Sequence, residues 1–190
     1  MSKYRRIPAS MLAMGLGIVG HGVQAEVLFS GGEVQLHYGD GFHLGANGLD
    51  STTRTTLTFE QYTLFDWGDL FYFVDLNKDH QGAGSDNNHY AEAWLHLSGK
   101  TMGLTFPEGS FVKDVGPDLG INHGEDFLVV APGVRADLNV SGFSVFTAGA
   151  YVYKNVDDPF DRDLDTTYQI TFVWDYPFMI GNENLSIRGF

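Results

Sequence analysis

Residues 166–176 read TTYQITFVWDY, with Tyr168, Ile170, Phe172, Trp174 and Tyr176 on one parity and Thr167, Gln169, Thr171 and Asp175 on the other, Val173 being the exception. A period of two marks an extended strand, whose successive side chains point to opposite faces of a sheet. Such a strand must place its apolar face against something. Here that face carries an aromatic residue at each end and Ile170 and Phe172 between them. The arrangement suits a strand facing hydrocarbon, because amphipathic rings settle at the two bilayer interfaces. A strand of a soluble sandwich also alternates, so the rest of the chain has to decide.

The same alternation recurs along the sequence. Val34, Leu36 and Tyr38 oppose Glu33, Gln35 and His37; Thr55, Leu57 and Phe59 oppose Arg54, Thr56, Thr58 and Glu60. Leu70, Tyr72, Val74 and Leu76 oppose Phe71, Phe73 and Asp75, and Ala91, Ala93, Leu95 and Leu97 oppose Tyr90, Glu92, Trp94 and His96. Leu128, Val130, Val134, Ala136 and Leu138 oppose Gly133, Arg135 and Asp137, although Pro132 inside this run removes a ladder donor. FSVFTAGAYVY at 143–153 adds another run, and Leu185 and Ile187 mark the start of a last one. The lengths match the roughly 9 to 11 residues with which a tilted strand crosses a bilayer. About eight strands are expected, with room for one more between residues 100 and 124.

The connections differ in kind. FDWGD, NVSG and PFMIGNEN are short, as periplasmic turns are; HLGANGLDS, NKDHQGAGSDNN and KNVDDPFDRDLD are longer, polar and acidic, as extracellular loops are. The expected fold is therefore all-β, an antiparallel transmembrane β-barrel with its apolar parity toward lipid, its polar parity toward a lumen, and Tyr62, Phe65 and Trp67 in an interfacial aromatic belt. A soluble periplasmic sandwich or ligand-binding barrel would turn the apolar parity inward instead. It accounts for the alternation but not for the aromatic bracketing or the asymmetry of the loops.

Composition narrows the setting. Lys3, Arg5 and Arg6 precede an apolar stretch, Met11–Val19, and then Val23-Gln24-Ala25, the pattern of a secretory signal peptide cut after Ala25. Residues 26–190 then make one domain, with no linker or internal repeat. All 24 acidic residues lie beyond Ala25 while three of the 11 basic ones lie before it, so the exported part is more acidic than the chain's net −13. That balance excludes nucleic acid as a partner, because binding its backbone requires Lys and Arg to displace counterions. The sequence has no cysteine, so disulfides do not hold it.

Four stretches in order, LHYGDGF (Leu36–Phe42), RTTLTFEQYTLFDWGDLFYFVDL (Arg54–Leu76), FVKDV (Phe111–Val115) and FVWDYPFMIG (Phe172–Gly181), resemble the Tsx-type nucleoside-specific channels of Gram-negative outer membranes and the related OmpK proteins. The similarity runs from about Val34 to Phe190. The resemblance implies a narrow, monomeric barrel of about twelve strands, inserted among outer-membrane lipid by the outer-membrane assembly machinery. It implies diffusion of nucleosides, no enzymatic activity, no cofactor, and in some bacteria use of the extracellular loops by phage. Family members continue past Arg188-Gly189-Phe190. Phe190 shares parity with Arg188 and Ser186 while Leu185 and Ile187 lie on the other, which is the wrong register for a terminal assembly signal. A chain lacking its last strands is expected, with an open edge that hydrocarbon does not tolerate.

A selective path for nucleosides needs flat aromatic faces for the base and mixed polar groups for the sugar; stacking is worth roughly 1 to 3 kcal/mol per base. The expected lumen parity supplies Phe71, Phe73, Tyr90 and Trp94 as platforms, with Glu60, Asp75, Glu92, His96, Arg135, Asp137 and Asp175 as hydrogen-bonding groups. Phe71 and Phe73 would equally serve to fill a small barrel. Two sharper chemistries are weighed against this path. Glu92, His96 and Ser98 on one strand face resemble the catalytic set of outer-membrane lipid A deacylases, in which a histidine base activates a serine. Asp157, Asp158, Asp161, Asp163 and Asp165 offer oxygen ligands for Ca²⁺, but they lack the spacing of a calcium loop and include Arg162; a solvated loop with no metal is expected.

Overall fold

The computed structural model describes residues 25–44, 50–80, 87–125, 127–158 and 162–190. Residues 1–24 of the expected signal peptide lie outside them, as do the middles of the three long loops. Nine strands follow one another as β1 (Val27–Leu44), β2 (Asp50–Phe65), β3 (Gly68–Asp79), β4 (Asn87–Leu97), β5 (Val112–Gly124), β6 (Phe127–Leu138), β7 (Val145–Asp157), β8 (Thr167–Ile180) and β9 (Glu183–Gly189). They form one antiparallel sheet in sequence order, with β1 and β9 at its edges. One turn of 3-10 helix, Gly99–Met102, sits between β4 and β5. No helix among the described residues is long and apolar enough to cross a membrane.

The strand beyond the expected eight is β5, in the stretch 100–124. Its alternation is muted because Gly116, Gly120 and Gly124 occupy one parity and Pro117 the other. Pro132 is accommodated inside β6, opposite Leu119 of β5. On its other side the ladder to β7 pairs Val130 with Lys154 and Gly133 with Tyr151 and has no pair between, so the missing N–H falls where the ladder lapses.

The sheet curls strongly. Arg135 on β6 reaches Asp69 on β3, and Trp94 on β4 meets Tyr151 on β7 with ring centroids 4.9 Å apart. Strands three places apart in a flat sheet would lie about 14 Å from one another. The face that carries these side chains is therefore concave, and it is the polar parity.

Burial is inverted relative to a soluble core. Among the described residues the buried apolar side chains are Val129, Ala131 and Tyr151, while His96 is 1% exposed and Asp69 and Asp118 are each 4% exposed. On the convex face Leu36 is 75% and Ile170 72% exposed, with Val34, Tyr72, Val134, Phe172 and Ile187 exposed beside them. Each apolar parity read from the sequence lies on this outer face: Leu57 pairs with Leu76, Leu70 with Leu95, Ala136 with Ala148 and Phe172 with Ala148 on the opposite flank.

The connections sort by end. Residues 66–67, 98–111, 139–144 and 181–182 lie at one end, and the strand ends that flank the three long acidic loops lie at the other, together with those that flank the two-residue β5–β6 connection. The alternation of short and long in the sequence holds apart from two places: the long 98–111 segment and that two-residue connection. At the short-turn end Phe65 stacks on Trp67 at 4.8 Å, and Phe143 packs edge-on against Phe146 and Tyr176, each at 5.2 Å. Tyr62 is not part of this belt. It stands opposite Phe71 on the inner face, because it shares parity with Thr58 and Glu60 rather than with Phe59 and Phe65.

Candidate functional site

The inner face has two parts. The first is an aromatic row running across β3, β4 and β6. Phe71 and Phe73 are 6.1 Å apart, Phe73 and Tyr90 5.9 Å, and Tyr90 and Phe127 6.4 Å. Adjacent strands place these rings: Asp75 is paired with Tyr90, Phe73 with Glu92 and Phe71 with Trp94. Glu92 sits among them, accepting hydrogen bonds from the Tyr90 hydroxyl and, at 3.1 Å, from Trp94 Nε1. Asp75 accepts from the Thr58 hydroxyl at 2.6 Å. Half-buried rings with a carboxylate between them offer both a stacking face and acceptors for hydroxyl or amide donors.

Glycines make the rings fit. A Cβ on Gly120 would come 2.6 Å from the Trp94 ring, and one on Gly133 or Gly149 would collide with Tyr151. Trp94 and Tyr151 thus each lie over a glycine of the neighbouring strand, Gly120 and Gly133, and Tyr151 also lies along Gly149 of its own strand, an arrangement that restores packing over a strand glycine.

The second part is a charged cluster nearer the short-turn end. Arg135 donates to both carboxylate oxygens of Asp69, with Nη1 to Oδ1 at 3.0 Å, and its Nε lies 3.3 Å from Asp137. The Tyr151 hydroxyl donates to Asp118 at 2.6 Å. Asp114 Oδ1 accepts from the backbone N–H of Gly99 at 3.0 Å and of Val115 at 2.9 Å. His96 projects between Asp69 and Asp118, its partners across β3 and β5.

Of the residues named from sequence, Phe71, Phe73, Asp75, Tyr90, Glu92 and Trp94 come together in the aromatic row, and His96, Arg135 and Asp137 in the charged cluster. Asp175 joins neither. It lies on β8, accepts from Ser144 Oγ, and is paired with Arg188 at 3.3 Å. The sequence reading missed Asp69, Asp114, Asp118, Phe127 and Tyr151. Asp69 was hidden in the FDWGD turn and Tyr151 in a run with no assigned parity; the glycines opposite Tyr151 were the available signal.

The Glu92–His96–Ser98 set is not assembled. Neither ring nitrogen of His96 has a hydrogen-bond partner, Glu92 is engaged by Tyr90 and Trp94, and Ser98 Oγ caps the 3-10 turn by accepting from Lys100 N–H at 3.2 Å. The acidic loop holds an Asp158–Arg162 ion pair at 2.8 Å; Asp161 lies outside the described residues. Comparison with family models, with curated proteins and with solved structures finds no match to this chain.

Proposed function

We propose that this chain is an outer-membrane β-barrel channel through which nucleosides diffuse, the activity that its resemblance to the Tsx-type channels implies. The observation that carries the reading is the inverted burial: charged and polar side chains on the concave face, and Leu36, Phe172, Ile170 and their neighbours exposed on the convex one. In water such a convex face is an aggregation surface. In hydrocarbon it is the face a membrane barrel requires, and each of β2 to β8 is hydrogen-bonded to a strand on either side, as a spanning strand must be. The aromatic pairs at the short-turn end supply one interfacial belt, and Tyr38 and Tyr168 stand on the outer face toward the long-loop end.

The solute class rests on the row Phe71–Phe73–Tyr90–Phe127 with Glu92 and Asp75 beside it. A flat base stacks on such rings and a ribose bonds to such carboxylates, whereas a sugar of similar size gains little from the rings. The protein acts as a monomer, inserted by the outer-membrane assembly machinery of a Gram-negative cell, with its acidic loops outside and open to phage. The test has two stages. The chain expressed in a Gram-negative host should sediment with outer membranes on a sucrose gradient; recovery in the soluble periplasmic fraction would refute the barrel. Vesicles carrying the refolded chain should swell faster in adenosine or thymidine than in sugars of similar size, and the reverse preference would refute the solute.

A further inference from the structure

The charged cluster holds four carboxylates, Asp69, Asp114, Asp118 and Asp137, against a single guanidinium. Arg135 satisfies Asp69 and leans on Asp137, and Tyr151 serves one oxygen of Asp118. A buried anion is tolerated when it is paired or coordinates a metal, and here negative charge exceeds positive although Asp69, Asp114, Asp118 and His96 are all buried. At its centre is His96, 1% exposed, with Nδ1 and Nε2 both lacking a hydrogen-bond partner. Buried polar groups are nearly always bonded, so an imidazole with two orphan nitrogens calls for an explanation.

The geometry supplies one. His96 Nε2 lies 4.0 Å from Asp114 Oδ2, too far for a hydrogen bond. His96, Asp114 and Asp137 each present a ligand atom, and these atoms lie within 4.8 Å of one another. Two backbone N–H groups hold Asp114 by Oδ1 and leave Oδ2 to face the imidazole, as outer partners orient metal-binding carboxylates. Asp137 Oδ1 is likewise without a hydrogen bond. We propose that His96, Asp114 and Asp137 bind a divalent transition-metal ion on the inner face near the short-turn end, tying β4, β5 and β6 together. One neutral nitrogen and two carboxylate oxygens neutralise such an ion and suit zinc, which takes His and Asp ligands at about 2.0–2.2 Å. The donors would close up by about an ångström to reach those distances. Imidazole disfavours calcium and magnesium, which take oxygen ligands. The proposal stands apart from the solute reading, since it needs neither a pore nor a nucleoside.

The test uses the full chain refolded in detergent micelles, stripped with EDTA and titrated with zinc against a chromogenic chelator. One ion should bind per chain. His96→Gln and Asp137→Asn should each weaken binding by more than about 100-fold, given that even outer-shell substitutions cost 10–100-fold. Asp175→Asn, remote from the cluster, should not change it. The outward pair His89 and His123, whose rings approach to 3.2 Å between nitrogens, is the rival zinc site, so His89→Ala should also leave the affinity unchanged. Binding abolished by His89→Ala and kept by His96→Gln would overturn the proposal, as would no binding by the unmodified chain. Should the inner-face variants fail to refold, cobalt added to the unmodified chain keeps the question open to answer: visible absorption bands of a low-coordinate cobalt site that persist in His89→Ala support it, and their absence refutes it.

Discussion

Replacing Arg135 by leucine removes the one cation of a buried cluster, and its consequence can be sized from the structure. The Arg135 side chain is 15% exposed and that of Asp69 5%, so solvent screens neither well. Without the guanidinium, Asp69 loses its ion-pair partner and Asp137 its nearest cation. Breaking a buried pair from one side costs about 3–5 kcal/mol, chiefly from the charge left behind. Asp69→Leu should cost less, because Arg135 retains Asp137 at 3.3 Å. With both replaced by leucine the loss should fall well below that of Arg135→Leu alone, since Asp69 is no longer left as an unpaired charge and what remains is the cost of Asp137 without its cation. Urea titration of the refolded chain in micelles, followed by the fluorescence of Trp67, Trp94 and Trp174, measures all three variants. With a urea slope of about 2 kcal/mol/M, Arg135→Leu should lower the midpoint by roughly 2 M. A drop below about 0.5 M would refute the premise that the cluster is desolvated, and strictly additive losses in the double variant would refute the pairing.

Phe172→Arg on the outer face should destabilise the protein in lipid by about 2–4 kcal/mol while Thr171→Arg, one residue away on the inner face, costs little; equal losses would mean that the faces are misassigned. Gly116→Ala should block assembly, because its new Cβ would overlap the Leu97 carbonyl oxygen, whereas Gly124→Ala meets nothing closer than 3.6 Å; heat-modifiable gel mobility distinguishes folded from unfolded chain in each. Phe71→Ala and Trp94→Ala should each slow adenosine-driven vesicle swelling several-fold, on the order of the 1 to 3 kcal/mol of a lost stacking contact, while small-ion conductance holds or rises. A parallel fall in both would argue that these rings only support the wall.

The faces were legible in the sequence because a period of two leaves no choice: once Ile170 and Phe172 share a face, Thr171 cannot join them. Where the pattern was diluted the reading went no further than room for one more strand between residues 100 and 124, where β5 lies. β5 carries its Gly116, Pro117 and Gly120 where alternation needs side chains, and its strand character comes from pairing with β4 and β6 instead. Tyr62 was placed by residue type, as an aromatic near a turn, when its parity already set it opposite Phe71. Phe71, Phe73, Tyr90 and Trp94 of the aromatic row were readable because they lie on two adjacent strands in simple register, whereas Phe127 joins them from β6 and was missed. The charged cluster was not, since Asp69 and Arg135 are separated by 66 positions and meet only through the curl of the sheet, which no local pattern encodes.

The unbroken strand order, each strand bonded only to its neighbours in sequence, has an evolutionary corollary. A fold whose every connection joins adjacent strands has no crossover to rethread, so a hairpin can be copied into it or lost from it and all other pairings survive. Strand number thereby becomes a heritable quantity that changes in steps of two, and the breadth of the curled sheet can be altered by duplication and deletion without redesign of the strands that remain.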